Sequence, residues 1–174
     1  TVPGALLGFL LDDVVENVFR QKIWLIASSL AIMGILIYLG DKWADKHYKI
    51  ETDFKDISLK QALAIGLSQA LAIIPGFSRS GTTILAARLM GLSKSAATKF
   101  TFILSVPIIA GATILEVGNL ELSIETFIGI FTAFFVGIFS IKFLLNYIKK
   151  HDFKVFGWYR IILGIIVLLY FWLF

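Results

Sequence analysis

The sequence predicts an all-α integral membrane protein, a multi-span helical bundle with one re-entrant helical hairpin. Of the 174 residues, 58% are hydrophobic before glycine is counted and only 16% are charged, whereas soluble domains have about 45–50% apolar and about 25% charged residues. A soluble fold of this size could not bury so much apolar surface. Long uncharged runs recur along the chain, and no strand-like alternation is present. Together with a net charge of only +4, the hydrophobicity also excludes intrinsic disorder.

The uncharged runs predict five spans within one membrane domain that covers residues 1–174. The run 23–40 has 18 residues, which as a helix cover about 27 Å of the ~30 Å hydrocarbon core. The shorter runs need their flanks to reach this length, and Lys142 or Arg160 could extend to the membrane interface there. The predicted spans are about 1–19, 23–40, 96–116, 124–147 and 157–174, and the predicted hairpin is about 60–91.

The segment 61–91 predicts a hairpin that enters and leaves the membrane on the same side. Pro75 and Gly76 should end its first helix near residue 74, and Ser78 or Ser80 can cap a second helix that begins near residue 80. The halves are about 15 and 11 residues, or about 22 and 16 Å, so neither spans the membrane alone. Irregular backbone at this depth is tolerated only where it is buried in protein or lines a polar cavity. The tip is therefore predicted to line a site.

The distribution of basic residues agrees with a re-entrant hairpin. With this topology, 13 of the 16 Lys and Arg residues lie inside, in the stretches 42–60, 88–99 and 142–160, as the positive-inside rule requires. The basic loop 142–160 is then cytoplasmic and the C-terminus is outside. On the same grounds, Arg88 is expected to reach the inner headgroups.

Arg79, at the hairpin tip, is the strongest chemical signal in the sequence. A guanidinium deep in a membrane costs at least about 2.5 kcal/mol, so it needs a partner. A helix N-terminus attracts anions, the Arg fork matches phosphate oxygens, and four hydroxyl residues adjoin it. These features predict a phosphate-like ligand at the membrane midplane. The alternative is structural: Arg79 reaches the interface or pairs with a carboxylate, and the hydroxyls only cap a helix.

The stretch 66–113 resembles the second signature of the undecaprenyl-diphosphate phosphatases, the bacitracin-resistance family. The resemblance lies in the motif PGFSRSG at 75–81, in Thr83 of the following helix, and in the later Ser-Val-Pro at 105–107. It implies an enzyme of the bacterial inner (plasma) membrane that hydrolyses a C55 isoprenyl diphosphate to the monophosphate and phosphate, recycling the lipid carrier of cell-wall synthesis. It also implies an inverted-repeat architecture, of which this chain holds half.

By this resemblance, the motif at 75–81 supplies the phosphate-binding half of the active site. Arg79 would clamp the diphosphate, while hydroxyls bind its oxygens and glycines allow close backbone approach. Gln69, polar within an apolar helix, either supports the tip or bonds a neighbouring helix. The predicted catalytic residues are Arg79, Ser78 and Thr83. The predicted substrate-binding residues are Pro75, Gly76, Phe77, Ser80, Gly81, Thr82 and Gln69, and no metal ligand is predicted within the chain.

The first signature of that family, a Glu-rich stretch followed by Ser and His, has no match here. Its nearest candidates, Asp12, Asp13 and Glu16, precede the run 23–40 and have no neighbouring His. The divalent cation that the family implies, Mg²⁺ or Ca²⁺, would thus take its ligands from an N-terminal part that this chain lacks. Because the chain begins with Thr1 inside an apolar segment, we expect it to be part of a longer protein. Since by this resemblance it holds only half of the active site, we also expect it to be inactive alone.

Two further questions stay open at this level. A transporter or flippase for a phosphorylated lipid or anion would use the same broken helix without cleaving a bond. The row Gly129, Ala133 and Gly137 allows close helix approach, either within the chain or between two copies in a homodimer. The predicted partners are the membrane and an isoprenyl diphosphate lipid, and no nucleic acid.

Overall fold

The computed structural model describes residues 22–49, 51–119 and 123–173, together with eight of the first nineteen positions. The predicted span 1–19 lies for the most part outside these described residues, as do Asp12, Asp13 and Glu16. The helices are α1 (Ile23–His47), α2 (Leu59–Ser68), α3 (Arg79–Leu89), α4 (Lys94–Glu116), α5 (Ile124–Ile148) and α6 (Lys154–Leu173). Short 3-10 helices cover Phe54–Asp56, Gln69–Ile73 and Val117–Asn119. The described part of the chain contains no strand, which confirms the all-α fold class.

Within the part of the chain that the structure describes, four helices are long and apolar enough to cross a membrane: α1, α4, α5 and α6. Each begins at the predicted position or within three residues of it. The main difference is that α1 continues to His47, seven residues past its predicted end. The helix continues because Asp41 and Ala44 are buried there and the charged side chains find partners within the protein.

Glycines bring α1 and α6 into close contact. A Cβ added at Gly34 would lie 2.7 Å from the carbonyl oxygen of Gly157, and one at Gly164 would lie 2.7 Å from the carbonyl oxygen of Ala27. Larger side chains at these positions would separate the helices, so the small residues permit the close approach that is typical of membrane helix pairs. This pair supports the hairpin and directs one face of α6 towards it.

The hairpin has the predicted form. Its first arm is α2, which begins with a capping box between Ser58 and Gln61, followed by the 3-10 helix Gln69–Ile73. The chain then reverses, and the second arm, α3, begins at Arg79 with Ser78 as its N-cap. The arms are 15 and 11 residues long. At about 1.5 Å per residue, neither crosses the hydrocarbon core.

Helix α5 packs little against the rest of the described chain. None of its apolar window is buried, and a Cβ added at Gly129 or Gly137 would meet nothing within 4 Å. These two glycines therefore face no described helix, and Ala133 between them is exposed. The prediction of a homodimer remains open.

A buried ion-pair network closes the base of the hairpin and corrects the prediction for Arg88. Instead of reaching the headgroups, the Arg88 side chain is 1% exposed. Its Nε donates to Asp41 Oδ1 at 2.7 Å, and its terminal nitrogens donate to Asp45 and Glu51. The three carboxylates precede Arg88 by 37 to 47 residues, so no local pattern indicates them.

Lys94 extends this network to the loop between α5 and α6. Its Nζ donates to Asp45 Oδ2 at 2.8 Å and to Asp152 Oδ1 at 2.6 Å. Hydrogen bonds from Lys94 and from Lys154 lower the pKa of Asp152, which keeps this carboxylate ionised. The C-terminal end of α1, the base of the hairpin, the start of α4 and this loop therefore meet at one end of the molecule.

Candidate functional site

The tip of the hairpin rests directly on α1. Gly76 has a φ of +95°, and a Cβ there would lie 2.5 Å from the carbonyl oxygen of Ile26. Ser78, which is not glycine, also has a positive φ of 57°, a conformation that is uncommon for such residues and clusters at functional sites. Its Oγ accepts a hydrogen bond from the Gly81 N–H at 3.3 Å. The tip is thus held in a strained form against a rigid helix.

We expect Gly76→Ala to disrupt the tip, because the added methyl group meets backbone atoms of α1. A non-glycine residue in a disfavoured backbone conformation costs about 1–3 kcal/mol, and the clash adds to this cost. Thermal unfolding in detergent should show a clear loss of stability. The matched control is Gly129→Ala, where the added carbon meets no atom within 4 Å. Equal stability of the two variants would contradict this account.

A cavity of about 440 Å³ lies beside the tip. Its polar wall comes from the hairpin and from one face of α4, and its apolar wall comes from α4 and α5. The lining residues are Gln69, Ser78, Arg79, Ser80, Thr83, Thr101, Phe102, Ser105, Ile109 and Ile141.

Arg79 gives this cavity its charge. It is the first residue of α3, so its own N–H and that of Ser80 have no acceptor within the helix. Among the described residues, no carboxylate lies within ion-pair distance of its guanidinium, in contrast to Arg88. The helix dipole, the free N–H groups and the guanidinium therefore give this wall a positive electrostatic potential, which favours an anion.

Two buried polar atoms at the cavity have no hydrogen-bond partner among the described residues. Gln69 is 3% exposed and Thr101 is 6% exposed, and the unpaired atoms are Gln69 Oε1 and Thr101 Oγ1. An unsatisfied buried polar group costs about 1–3 kcal/mol, so such groups call for a ligand or an ordered water. Because both residues line the cavity, a ligand or an ordered water in it could bond these two atoms.

Thr101 is a site residue that the sequence did not single out, because one Thr in an apolar helix is unremarkable. A local signal was nonetheless available. Thr101 precedes Ser105 by four residues, and this spacing puts both hydroxyls on one face of a helix.

The structure brings five of the ten predicted site residues to the cavity wall: Gln69, Ser78, Arg79, Ser80 and Thr83. On α3 the reason is helical periodicity. Successive residues are about 100° apart, so positions 79, 80 and 83 share a face that positions 81 and 82 do not.

The other five predicted residues lie away from this wall. Gly76 contacts α1, and Phe77 and Thr82 line a smaller cavity against α1 that also includes Met33. Gly81 lines a second cavity, described below, and Pro75 is half-buried in the turn. Their contact with substrate stays a prediction: Gly76, Phe77 and Thr82 lie against α1, whereas Gly81 lies at the second cavity.

The hydroxyls differ in what they can do chemically. Thr83 Oγ1 donates to the carbonyl oxygen of Arg79 at 3.0 Å, so its proton is already engaged and it offers only a lone pair. Ser78 Oγ and Ser80 Oγ lie 3.2 Å apart, so one hydroxyl donates a hydrogen bond to the other. The proton of the accepting hydroxyl is left free for an anion. No carboxylate or His among the described residues lines the cavity. The described wall can therefore bind and stabilise an anion, but it supplies no general base.

The described residues also do not fit a divalent cation at this cavity, because hard cations prefer carboxylate oxygens. The group Asp41, Asp45 and Asp152 brings carboxylate oxygens within 4.8 Å of one another. These carboxylates are already paired with Arg88 and Lys94 at the base of the hairpin. They therefore form a structural network.

Several curated proteins are similar to this chain over most of its length. A protein of Enterococcus faecalis named undecaprenyl-diphosphatase is 47% identical to this chain in an alignment that covers 97% of the chain and 63% of the relative. Proteins of the same name from Desulforudis audaxviator (strain MP104C) and Moorella thermoacetica (strain ATCC 39073 / JCM 9320) are each 41% identical and are covered to 64% and 66% of their lengths. The chain thus spans less than two thirds of these relatives.

The family profile described as Bacitracin resistance protein BacA matches residues 1–166, nearly the whole chain. The match includes the hairpin, its tip and the start of α6. The chain is therefore a member of the bacitracin resistance protein BacA family.

Proposed function

We propose that the protein to which this chain belongs is an integral-membrane hydrolase that converts undecaprenyl diphosphate to the monophosphate and phosphate. The observation that carries the proposal is Arg79, a guanidinium at a helix N-terminus that lines a cavity without a described carboxylate partner. The names of the relatives support the same substrate.

In this reaction, water attacks the terminal phosphorus, and the bond from that phosphorus to the bridging oxygen breaks. The lipid monophosphate leaves with the electron pair of that bond. Arg79 and the free N–H groups beside it bind the terminal phosphate and stabilise the charge that spreads over its equatorial oxygens. The Ser78–Ser80 pair and Thr101 can donate further hydrogen bonds. The base that activates water must come from outside the described cavity wall.

A divalent cation, Mg²⁺ or Ca²⁺, is part of this proposal. It would neutralise phosphate charge, and its ligands would come from outside the described residues. The roles given to Arg79, to the Ser78–Ser80 pair and to Thr101 do not depend on this cation.

We further propose that the hairpin enters and leaves on the cytoplasmic side of the inner membrane, with the C-terminus outside. The ion-pair network supports this orientation because it joins the three basic stretches at one end of the molecule.

The test is phosphate release from undecaprenyl diphosphate in detergent, with and without Mg²⁺ or Ca²⁺. It compares the product of the complete gene with the 174-residue chain. We expect release by the complete protein in the presence of the cation and none by the chain alone. Lipid binding without phosphate release by the complete protein would contradict hydrolysis and favour transport. Release by the chain alone would show that its own residues suffice.

A further inference from the structure

A second arginine lies at the hairpin tip. Arg160, on α6, was expected to extend to the membrane interface, but the structure turns it towards the hairpin. Its terminal nitrogen lies 3.5 Å from the carbonyl oxygen of Gly76, at the limit of a hydrogen bond. The close contact between α1 and α6 directs Arg160 here, since Gly157, one turn earlier, lies against α1.

Arg160 lines a second cavity of about 220 Å³. This cavity and the one lined by Arg79 have Ser80, Thr101 and Phe102 in common. The two cavities are therefore neighbours, separated by a wall that these three residues form. Arg79 lines the first cavity and Arg160 lines the second. The unpaired Oγ1 of Thr101 belongs to that shared wall.

The partners of Arg160 distinguish it from a structural arginine. Arg88 shows what a structural one requires, since three carboxylates and the carbonyl oxygen of Leu92 surround its guanidinium. Among the described residues, Arg160 has no carboxylate within ion-pair distance and only the one long contact to Gly76. A guanidinium has five N–H donors, so most of its donors remain available. At this depth, a half-buried cation without a partner indicates an anionic ligand.

We propose that the paired cavities bind the two phosphoryl groups of a diphosphate, one at Arg79 and the other at Arg160, with Thr101 between them. The inference rests on the proposed function and extends it to substrate selection. A diphosphate engages both arginines, whereas a monophosphate engages one. Arg160 therefore determines the preference for a diphosphate and favours release of the monophosphate product.

The test is calorimetric binding of inorganic pyrophosphate and of orthophosphate to the complete protein in detergent with Mg²⁺. Arg160→Gln should weaken pyrophosphate binding about ten- to hundredfold, the effect of losing one charge-assisted contact. Orthophosphate binding should stay within about twofold. Arg160→Lys keeps the charge but loses the planar fork, so its effect should be intermediate.

Thr101→Val tests the shared wall and should weaken pyrophosphate binding about three- to tenfold, as expected for one lost hydrogen bond. Its matched control on the same helix is Thr113→Val, since Thr113 is exposed and its hydroxyl donates to the carbonyl oxygen of Ile109. That control should bind both anions like the unsubstituted protein.

Unchanged pyrophosphate binding by folded Arg160→Gln would overturn the inference, and so would an equal loss for both anions. If Arg160→Gln does not fold, as judged by thermal unfolding, Arg160→Lys is measured in its place. The inference then requires that Arg160→Lys weaken the binding of pyrophosphate more than the binding of orthophosphate. These measurements do not depend on hydrolysis. A protein that binds pyrophosphate through Arg160 but never cleaves the lipid would refute the proposed function and keep this inference.

Discussion

Replacing Arg79 by Ala should lower the rate of phosphate release by the complete protein at least about a hundredfold, the usual effect of removing one preorganised transition-state donor. The loss should fall on kcat, since the charge that Arg79 meets is greatest in the transition state. The rate of Arg79→Lys should lie between those of Arg79→Ala and the unsubstituted protein, because an ammonium keeps the charge but cannot form the bidentate contact. The measurement is the initial rate of phosphate release against substrate concentration.

The control for this variant is Lys142→Ala on α5, which removes an exposed cation that lines neither cavity. It should keep full activity. Thermal unfolding of Arg79→Ala should match that of the unsubstituted protein, because Arg79 has no described ion pair to lose. Full activity in folded Arg79→Ala would remove the main support for the proposed function.

Replacing Arg88 by Ala should destabilise the fold more than any other change considered. Removing one partner of a buried ion pair costs about 3–5 kcal/mol, because the remaining charge is left uncompensated. Asp41, 5% exposed, would keep only a 3.8 Å contact with Lys94 as an ion pair. We expect a large fall in the free energy of unfolding, or little folded protein, measured by chemical or thermal unfolding in detergent.

Lys154→Ala is the matched control, since it breaks an exposed pair with Asp152 at 3.1 Å. Exposed pairs contribute about 0–1 kcal/mol, so stability should change little. If Arg88→Ala were as stable as Lys154→Ala, the network would not hold the base of the hairpin as described.

Much of the fold could be predicted because its signals are local. Spans follow from apolar run length, and the hairpin follows from Pro75 and Gly76, which stop one helix, and Ser78, which caps the next. The end of α1 could not be predicted in this way. Asp41 and Asp45 resemble loop residues in sequence, and they stay in the helix because Arg88 and Lys94 neutralise them from other segments.

The site was predictable only in part. The motif at 75–81 indicated the segment, but which of its side chains line the cavity depends on where α3 lies against α1 and α4. Phe77 and Thr82 face α1, whereas Arg79 and Thr83 face the cavity. Thr101 and Arg160 come from other helices, 22 and 81 residues beyond Arg79.

The sequence by itself determined the membrane class, the starts of the long helices and the position of the hairpin, because each depends on residues close together in the chain. Anion binding at the tip of the hairpin stays a prediction. Only the tertiary structure distinguished Arg79, Arg88 and Arg160 by their surroundings. Arg88 is structural because carboxylates surround it, and Arg79 and Arg160 remain available to a ligand because no described carboxylate reaches them. A charged side chain in a membrane acts according to its partners, and helix packing brings those partners from distant parts of the chain.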